Sequence, residues 1–372
     1  MSPAPTQTNW LIIWTAIFAG VIVGFQVGKA PPVIAAIQTE LDLMRVEAGW
    51  YMSVYNAVAV IAGLACGIFT DRIGRRRAVT LGLLLLLAGN LVGAWAPSYA
   101  PLIMARLIEG AGFALVAVAV PGLITRVVSD QDRDVALSAW STYMPAGFAV
   151  MMAGISVATQ PENWRTVWLV NAGLIAAFLV LFLYVTRGLD KRQRTGNEPG
   201  LELLTVVRRA GPWLLGLSFM SYTLQWFGVL TWLPTIMTDA GMTGLTAGLA
   251  VAAVVFINVI GNLAGGYLLK RGILRWRILA FCSLSLGLLA QGIYAGELNP
   301  EIRLLLAGLF SAIGGAIPGV VMAGAATHSP SPDQVATTNG VIVQCTNLGS
   351  LVGPPAVAWV SQVSGAFENA RW

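Results

Sequence analysis

Charge is scarce in this chain. Only 10% of its 372 residues are Asp, Glu, Lys or Arg, against about 25% in a soluble globular protein. Too little charge remains to cover a water-facing surface, which excludes a soluble protein of two or three domains. Histidine occurs once, at His328, and cysteine three times, at Cys66, Cys282 and Cys345, each isolated in an apolar stretch. These residues offer neither metal-ligand spacing nor a disulfide framework, so no metal and no other cofactor is expected. No nucleophile–base motif and no phosphate-binding glycine loop occurs, so an enzyme is not expected either. Asn-x-Ser/Thr is missing throughout, which suits a bacterial source. The alternating segments of about ten residues that mark a membrane β-barrel are missing too.

Apolar residues fill the space. They make up 56% of the chain, and the mean hydropathy is +0.73. A membrane-spanning helix needs about 20 mostly apolar residues. Eleven stretches qualify: Trp10–Val33, Trp50–Phe69, Ala78–Trp95, Tyr99–Ile124, Ala136–Ala158, Val167–Thr186, Pro212–Met237, Leu245–Leu269, Trp276–Tyr294, Ile302–Ala326 and Val335–Val360. The fold class read from them is an all-α polytopic membrane protein. The 41 glycines suit helices packed closely in lipid, and the 13 tryptophans suit two membrane interfaces. The first stretch lacks a basic leader and a small-residue cleavage site, so it reads as a retained helix.

The placement of basic residues sets the expected orientation. With the N-terminus in the cytoplasm of an inner membrane, 16 of the 22 Lys and Arg fall in inside loops. Arg45, Arg165, Arg303 and Arg371 fall outside, and Lys29 and Arg106 lie within spans. Inside loops rich in Lys and Arg are the rule for such proteins. Spreading the +5 net charge over short loops also argues against a nucleic-acid partner. The longest polar segment, Arg187–Arg209, contains Gly196–Gly200 and reads as a linker. Six spans precede it and five follow, which predicts an N-terminal bundle over 1–186, a cytoplasmic linker over 187–211 and a C-terminal bundle over 212–372.

The halves echo each other. The second span exits through Gly67-x-x-x-Asp71-Arg72-x-Gly74-Arg75-Arg76-Arg77, and the eighth through Gly266-x-x-x-Lys270-Arg271-Gly272. Internal repeats are typical of secondary transporters. The Gly67–Arg77 run resembles the signature between the second and third helices of the major facilitator superfamily. Arg106-Leu-Ile-Glu109-Gly110 is similar to that family's Arg-x-x-Gln-Gly pattern, with Glu109 in place of Gln. Pro145-Ala-Gly147 partly matches its antiporter pattern. Asn347-Leu-Gly349-Ser-Leu-Val-Gly353-Pro354-Pro355 looks like its metabolite and cyanate-type permeases. The resemblance implies two pseudo-symmetric bundles, a monomer, and a small solute moved by alternating access. The family usually has twelve helices, and the sequence ends where a twelfth would begin. The expectation is a truncated form, with a C-terminus outside the cell as the alternative.

Candidate functional residues follow from charge in apolar surroundings. Lys29 and Gln26 share a face of the first span. A mid-membrane cation costs about 2.5–3.5 kcal/mol on insertion scales and marks a functional site by default. Lys29 either attracts an anionic solute or snorkels to the interface beside Pro31 and Pro32. Arg106 and Glu109 share a face of the fourth span, so Glu109 either couples a proton to substrate binding or forms a permanent ion pair between the two spans. Tyr222 and Gln225 of the seventh span are the preferred substrate contacts, because the resemblance places that helix at the central cavity. It also implies that Gly67, Asp71, Arg72, Gly74 and Arg75 form a cytoplasmic latch. Gly314, Gly315, Pro318 and Gly319 mark the tenth span as a gating helix. The expected function is secondary transport of an organic or cyanate-like anion, coupled to protons. An efflux antiporter and a membrane scaffold without transport activity stand as the alternatives.

Overall fold

The computed structural model describes residues 7–158, 163–189, 205–330 and 334–371, and the described residues are helical with short connections. The helices in chain order are α1 (Trp10–Gly28), α2 (Ile34–Leu41), α3 (Arg45–Ser53), α4 (Tyr55–Ile73), α5 (Arg75–Ala94), α6 (Tyr99–Ile124), α7 (Arg133–Ser141), α8 (Tyr143–Ala158) and α9 (Trp164–Val185). After the predicted linker, most of which lies outside the described residues, come α10 (Ala210–Asp239), α11 (Gly244–Lys270), α12 (Arg275–Ile293), α13 (Pro300–Gly314), α14 (Ala316–His328) and α15 (Val335–Ser364).

Several predicted spans are subdivided. α1 stops at Gly28, and Pro31 and Pro32, one lacking an N–H at each position, open a 3-10 turn. The second predicted span is two helices that meet at Val54. The fifth is α7 and α8, bent by 43°. The tenth breaks into α13 and α14 at Gly315.

Among the described residues, eight helices are long and apolar enough to cross a membrane, or nine if the bent α7–α8 pair is one span. α4 and α10 account for the two remaining predicted spans. α4 carries Asn56 and Arg72, and α10 carries Ser218, Ser221, Tyr222, Thr223 and Gln225. Both pack on α15, so protein as well as lipid surrounds them and polar side chains find partners there.

The helices form two groups. In the first, α5 lies between α6 and α9, α1 packs on α8, and α4 on α6. In the second, α10 packs along α15, and α11 contacts α12, α13 and α14. The two second-to-third helix turns match, with Gly74 at φ +92° and Gly272 at φ +80°. Only glycine adopts that backbone freely, so the repeated sequence motif is also a repeated turn.

The groups meet at one end. α15 packs on α3 and α4, and α11 on α8. The backbone of Gly49 sits so close to Pro354 and Pro355 that a Cβ would come within 2.7 Å of Pro355 Cα. Arg45 Nη1 donates to Ser361 Oγ at 2.6 Å, and the Val46 N–H donates to Gln362 Oε1 at 3.2 Å. At the opposite end, a Cβ on Gly67 of α4 or on Gly340 of α15 would meet nothing within 4 Å. The bundles are closed where α3 begins and α15 ends, and among the described residues open space lies beside Gly67 and Gly340.

Candidate functional site

Four of the residues singled out by charge and spacing come together inside the first group. Gln26 lies near the C-terminus of α1 and Lys29 caps it, while Arg106 and Glu109 lie one turn apart on α6. All four are fully buried. Lys29 Nζ donates to Glu109 Oε1 at 2.5 Å, to Gln26 Oε1 at 2.9 Å and to Asn90 Oδ1 at 2.7 Å. Arg106 Nη1 donates to Glu109 Oε2 at 2.8 Å and to the Gln26 carbonyl at 2.7 Å, and its Nε donates to the Tyr51 carbonyl at 3.0 Å. One carboxylate therefore answers two cations, and the ionised triad carries one net positive charge.

Close helix approach makes this possible. A Cβ on Gly89 of α5 would stand 2.6 Å from Glu109 Cγ, and one on Gly110 of α6 would stand 2.2 Å from the Tyr55 carbonyl oxygen. Small residues at such positions let backbones approach and bring side chains from separate helices into one network.

The network is wider than charge alone reveals. Asn90 of α5 donates to Gln26 Oε1 at 3.0 Å, and Asn171 of α9 donates to Gln26 Oε1 at 3.1 Å and to Asn90 Oδ1 at 2.9 Å. Aromatic faces cover the cations: Lys29 Nζ lies 4.7 Å from the Trp168 ring centre, and the Arg106 guanidinium lies 4.9 Å from Tyr51 and 5.3 Å from Tyr55. Such contacts stabilise a desolvated cation by about 2 kcal/mol. Arg106 Nη2 and the hydroxyls of Tyr51 and Tyr55 are buried without a hydrogen-bond partner. Asn90 and Asn171 were missed by sequence reasoning. Their only signal is an isolated amide in an apolar run, which most often serves helix packing.

Tyr222 and Gln225 lie elsewhere. The Tyr222 hydroxyl accepts from Asn258 Nδ2 at 2.9 Å in the core of the second group, and Asn258 Nδ2 also donates to the Ser311 carbonyl at 2.9 Å. Gln225 is half-buried and donates to the Ser221 carbonyl of its own helix at 3.3 Å. Between the two cores, the buried Phe148 of α8 meets Trp226 of α10 edge to face at 5.7 Å. The Trp226 Nε1 is buried and unpartnered.

The residues expected to form a latch lie where α4 ends and α5 begins. Arg75 Nη1 donates to the Gly122 carbonyl at 2.8 Å, and Arg76 donates to Thr186 Oγ1 at 3.0 Å. Arg72 is exposed. The Asp71 side chain lies outside the described residues.

Comparison with known proteins adds independent findings. The sequence profile of the Major Facilitator Superfamily matches residues 16–366. A protein of Cupriavidus pinatubonensis (strain JMP 134 / LMG 1197), named as a probable 4-methylmuconolactone transporter, is 26% identical over 71% of this chain and 62% of its own length. The chain thus spans less than two thirds of that relative. A Bacillus subtilis (strain 168) protein named for niacin/nicotinamide transport is 23% identical over 88% of this chain and 82% of its own length. Among solved structures, a bacterial homologue of the human lysosomal transporter Spinster, inward-facing and occupied, matches with a TM-score of 0.80 at 15% identity. That match covers 97% of this chain and 83% of the other, and at such identity it speaks for the fold alone.

Proposed function

Since the chain belongs to the major facilitator superfamily, we propose that it is a secondary transporter moving a small organic or cyanate-like anion by alternating access, with a proton coupled through Glu109. The observation that carries this reading is the Glu109 carboxylate shared by Lys29 and Arg106 in full burial. With Glu109 ionised, the Lys29 ammonium is held by three oxygens and is not offered to a solute. A proton on Glu109 removes the one counter-charge, and two buried cations then attract an anion in its place. Loss of the proton restores the pairs and releases the anion. Gln26 adds an amide to the cation side, and Tyr222 and Gln225 complete the contacts from the second bundle. Intramembrane carboxylates commonly serve as proton relays.

In this reading, residues 1–186 and 212–372 rock against each other about the Phe148–Trp226 contact, with 187–211 as the cytoplasmic connection. The protein is a monomer in the inner membrane with its N-terminus in the cytoplasm. The closed end then faces outward, and the end beside Gly67 opens to the cytoplasm. Gly67, Asp71, Arg72, Gly74 and Arg75 form the latch that draws this end shut, and the free space beside Gly67 is the room into which α15 moves.

Uptake of organic anions into proteoliposomes under an imposed pH gradient tests the proposal. Wild type should respond to the gradient, and Glu109→Gln should lose that response. Flux that stays pH-driven in Glu109→Gln sinks the coupling step. No flux of any solute by wild type sinks the transport reading and leaves the triad as a permanent ion pair.

A further inference from the structure

The second group carries a crevice that transport through the centre of the molecule does not use. Its volume is ≈ 550 Å³, within the range of about 300–1,000 Å³ found for small-ligand sites. It lies between α11, α12 and the α13–α14 pair, with walls that include Ala264, Leu268, Phe281 and Ile313. Arg277 is the one charged residue lining it. Phe281 is 63% exposed and Ile260, on the same wall, is 63% exposed. The crevice therefore opens sideways on the apolar surface that faces lipid, and an apolar chain is the occupant its walls favour.

The mouth of the crevice has a different chemistry. Lys270, Arg271, Arg275 and Arg277 fall within eight residues at the α11–α12 turn, and no Asp or Glu occurs from Ala240 to Gly296. Lys270, Arg271 and Arg277 are exposed. Arg275 turns away, its Nη1 donating to Thr327 Oγ1 at 2.9 Å. Among the described residues, no ion pair is formed by Lys270 or Arg277. The Arg271 guanidinium lies 4.9 Å from the Tyr267 ring centre, and that of Arg277 lies 5.5 Å from Trp276. Tyr and Trp gather at membrane–water boundaries, so the turn sits at headgroup level. Basic pockets between spanning helices at that level suit anionic lipid headgroups.

We propose that the crevice holds one acyl chain of an anionic phospholipid from the surrounding bilayer, with its phosphate against Arg277 and Lys270. The apolar walls select a chain over a free anion, and the unpaired cations select an anionic headgroup over a zwitterionic one. The site is independent of the Glu109 triad and of the transport reading.

Native mass spectrometry of the purified full chain tests this, with palmitoyl-oleoyl phosphatidylglycerol competed against the phosphatidylcholine of the same chains. Wild type should retain phosphatidylglycerol preferentially. Arg277→Gln and Lys270→Gln should each cut that preference about fivefold, as expected for one surface cation near a charged headgroup. Ala264→Trp fills the crevice from an exposed position and should remove the retained lipid. Glycerol phosphate, offering the headgroup without the chain, should not compete. Equal retention of the two lipids by wild type overturns the proposal. So does an undiminished preference in the Lys270→Gln/Arg277→Gln double variant, or displacement by glycerol phosphate.

Discussion

In the first helical group, the first and fourth spans meet through Lys29, Arg106 and Glu109, three charged side chains with no exposure. In the second, Asn258 of the second span joins Tyr222 of the first to the Ser311 carbonyl of the fourth, all neutral. The difference is one of divisibility. In a neutral core, each group can be removed and its partners can turn to neighbouring carbonyls. In a charged core, removing one member changes the net charge that the others must bear inside low dielectric. The two groups also differ in cover. Half of the apolar stretch of α5 is buried, with α9 packed beside it, whereas 22% of that of α12 is buried. Leu284 and Leu288 of α12 are 71% and 75% exposed to the surroundings.

The sharpest way to break the comparison is Glu109→Leu. It leaves Lys29 and Arg106 buried together without a counter-charge, and removing one partner of a buried pair costs about 3–5 kcal/mol. The purified variant should unfold at a clearly lower temperature than wild type in the same detergent. A melting point unchanged by Glu109→Leu would mean that the cations already have another counter-charge.

Much of this core was legible in the sequence. Lys29, Arg106 and Glu109 stand out because a charge in an apolar run has few innocent explanations, and the spacing of Arg106 and Glu109 puts them on one helix face. Asn90 and Asn171 did not stand out. They are 64 and 145 residues from Gln26, and only the packing of α5 and α9 on α1 and α6 brings them there. The eleven spans were readable from hydropathy, and the break at Gly315 from its glycines. The break at Val54 was not readable, since neither proline nor glycine marks it. The crevice between α11 and α12 depends on side-chain packing that no periodicity reveals.

The next effect concerns backbone approach. A Cβ on Gly261 would fall 2.0 Å from the Ala312 carbonyl oxygen, while one on Gly67 would meet nothing. Gly261→Ala should cost about 1–3 kcal/mol through enforced separation of α11 and α13. Gly67→Ala should leave the melting temperature of this conformation unchanged and, if the latch closes as proposed, disfavour the outward-open state. Equal effects of the two substitutions on stability would contradict the open space found beside Gly67 and the close α11–α13 approach at Gly261.

Asn258→Leu probes the neutral core. It removes the donor to Tyr222 and to the Ser311 carbonyl, and interhelical hydrogen bonds in membranes average about 0.6 kcal/mol with a maximum near about 1.7 kcal/mol. The loss should be small, and smaller than that of Glu109→Leu in parallel melts. A larger loss for Asn258→Leu would reverse the contrast between the two cores.

Lys29→Met should perturb stability little, within about 1 kcal/mol of wild type. Arg106 and Glu109 remain and balance each other, so no uncompensated charge is left. Asn90 Nδ2 and Asn171 Nδ2 still donate to Gln26 Oε1, and Asn171 Nδ2 still donates to Asn90 Oδ1. Glu109 Oε1 loses the ammonium, but Arg106 Nη2 is buried without a partner and can rotate its fork onto it. Removing the desolvation cost of the ammonium offsets what its bonds contributed. Under the proposed function the same variant should abolish anion flux in proteoliposomes, because the anion is held by two cations and only one is left. A stable variant without flux separates the role of Lys29 in transport from any role in holding the fold. A variant that melts as early as Glu109→Leu would instead make Lys29 a structural member of the triad.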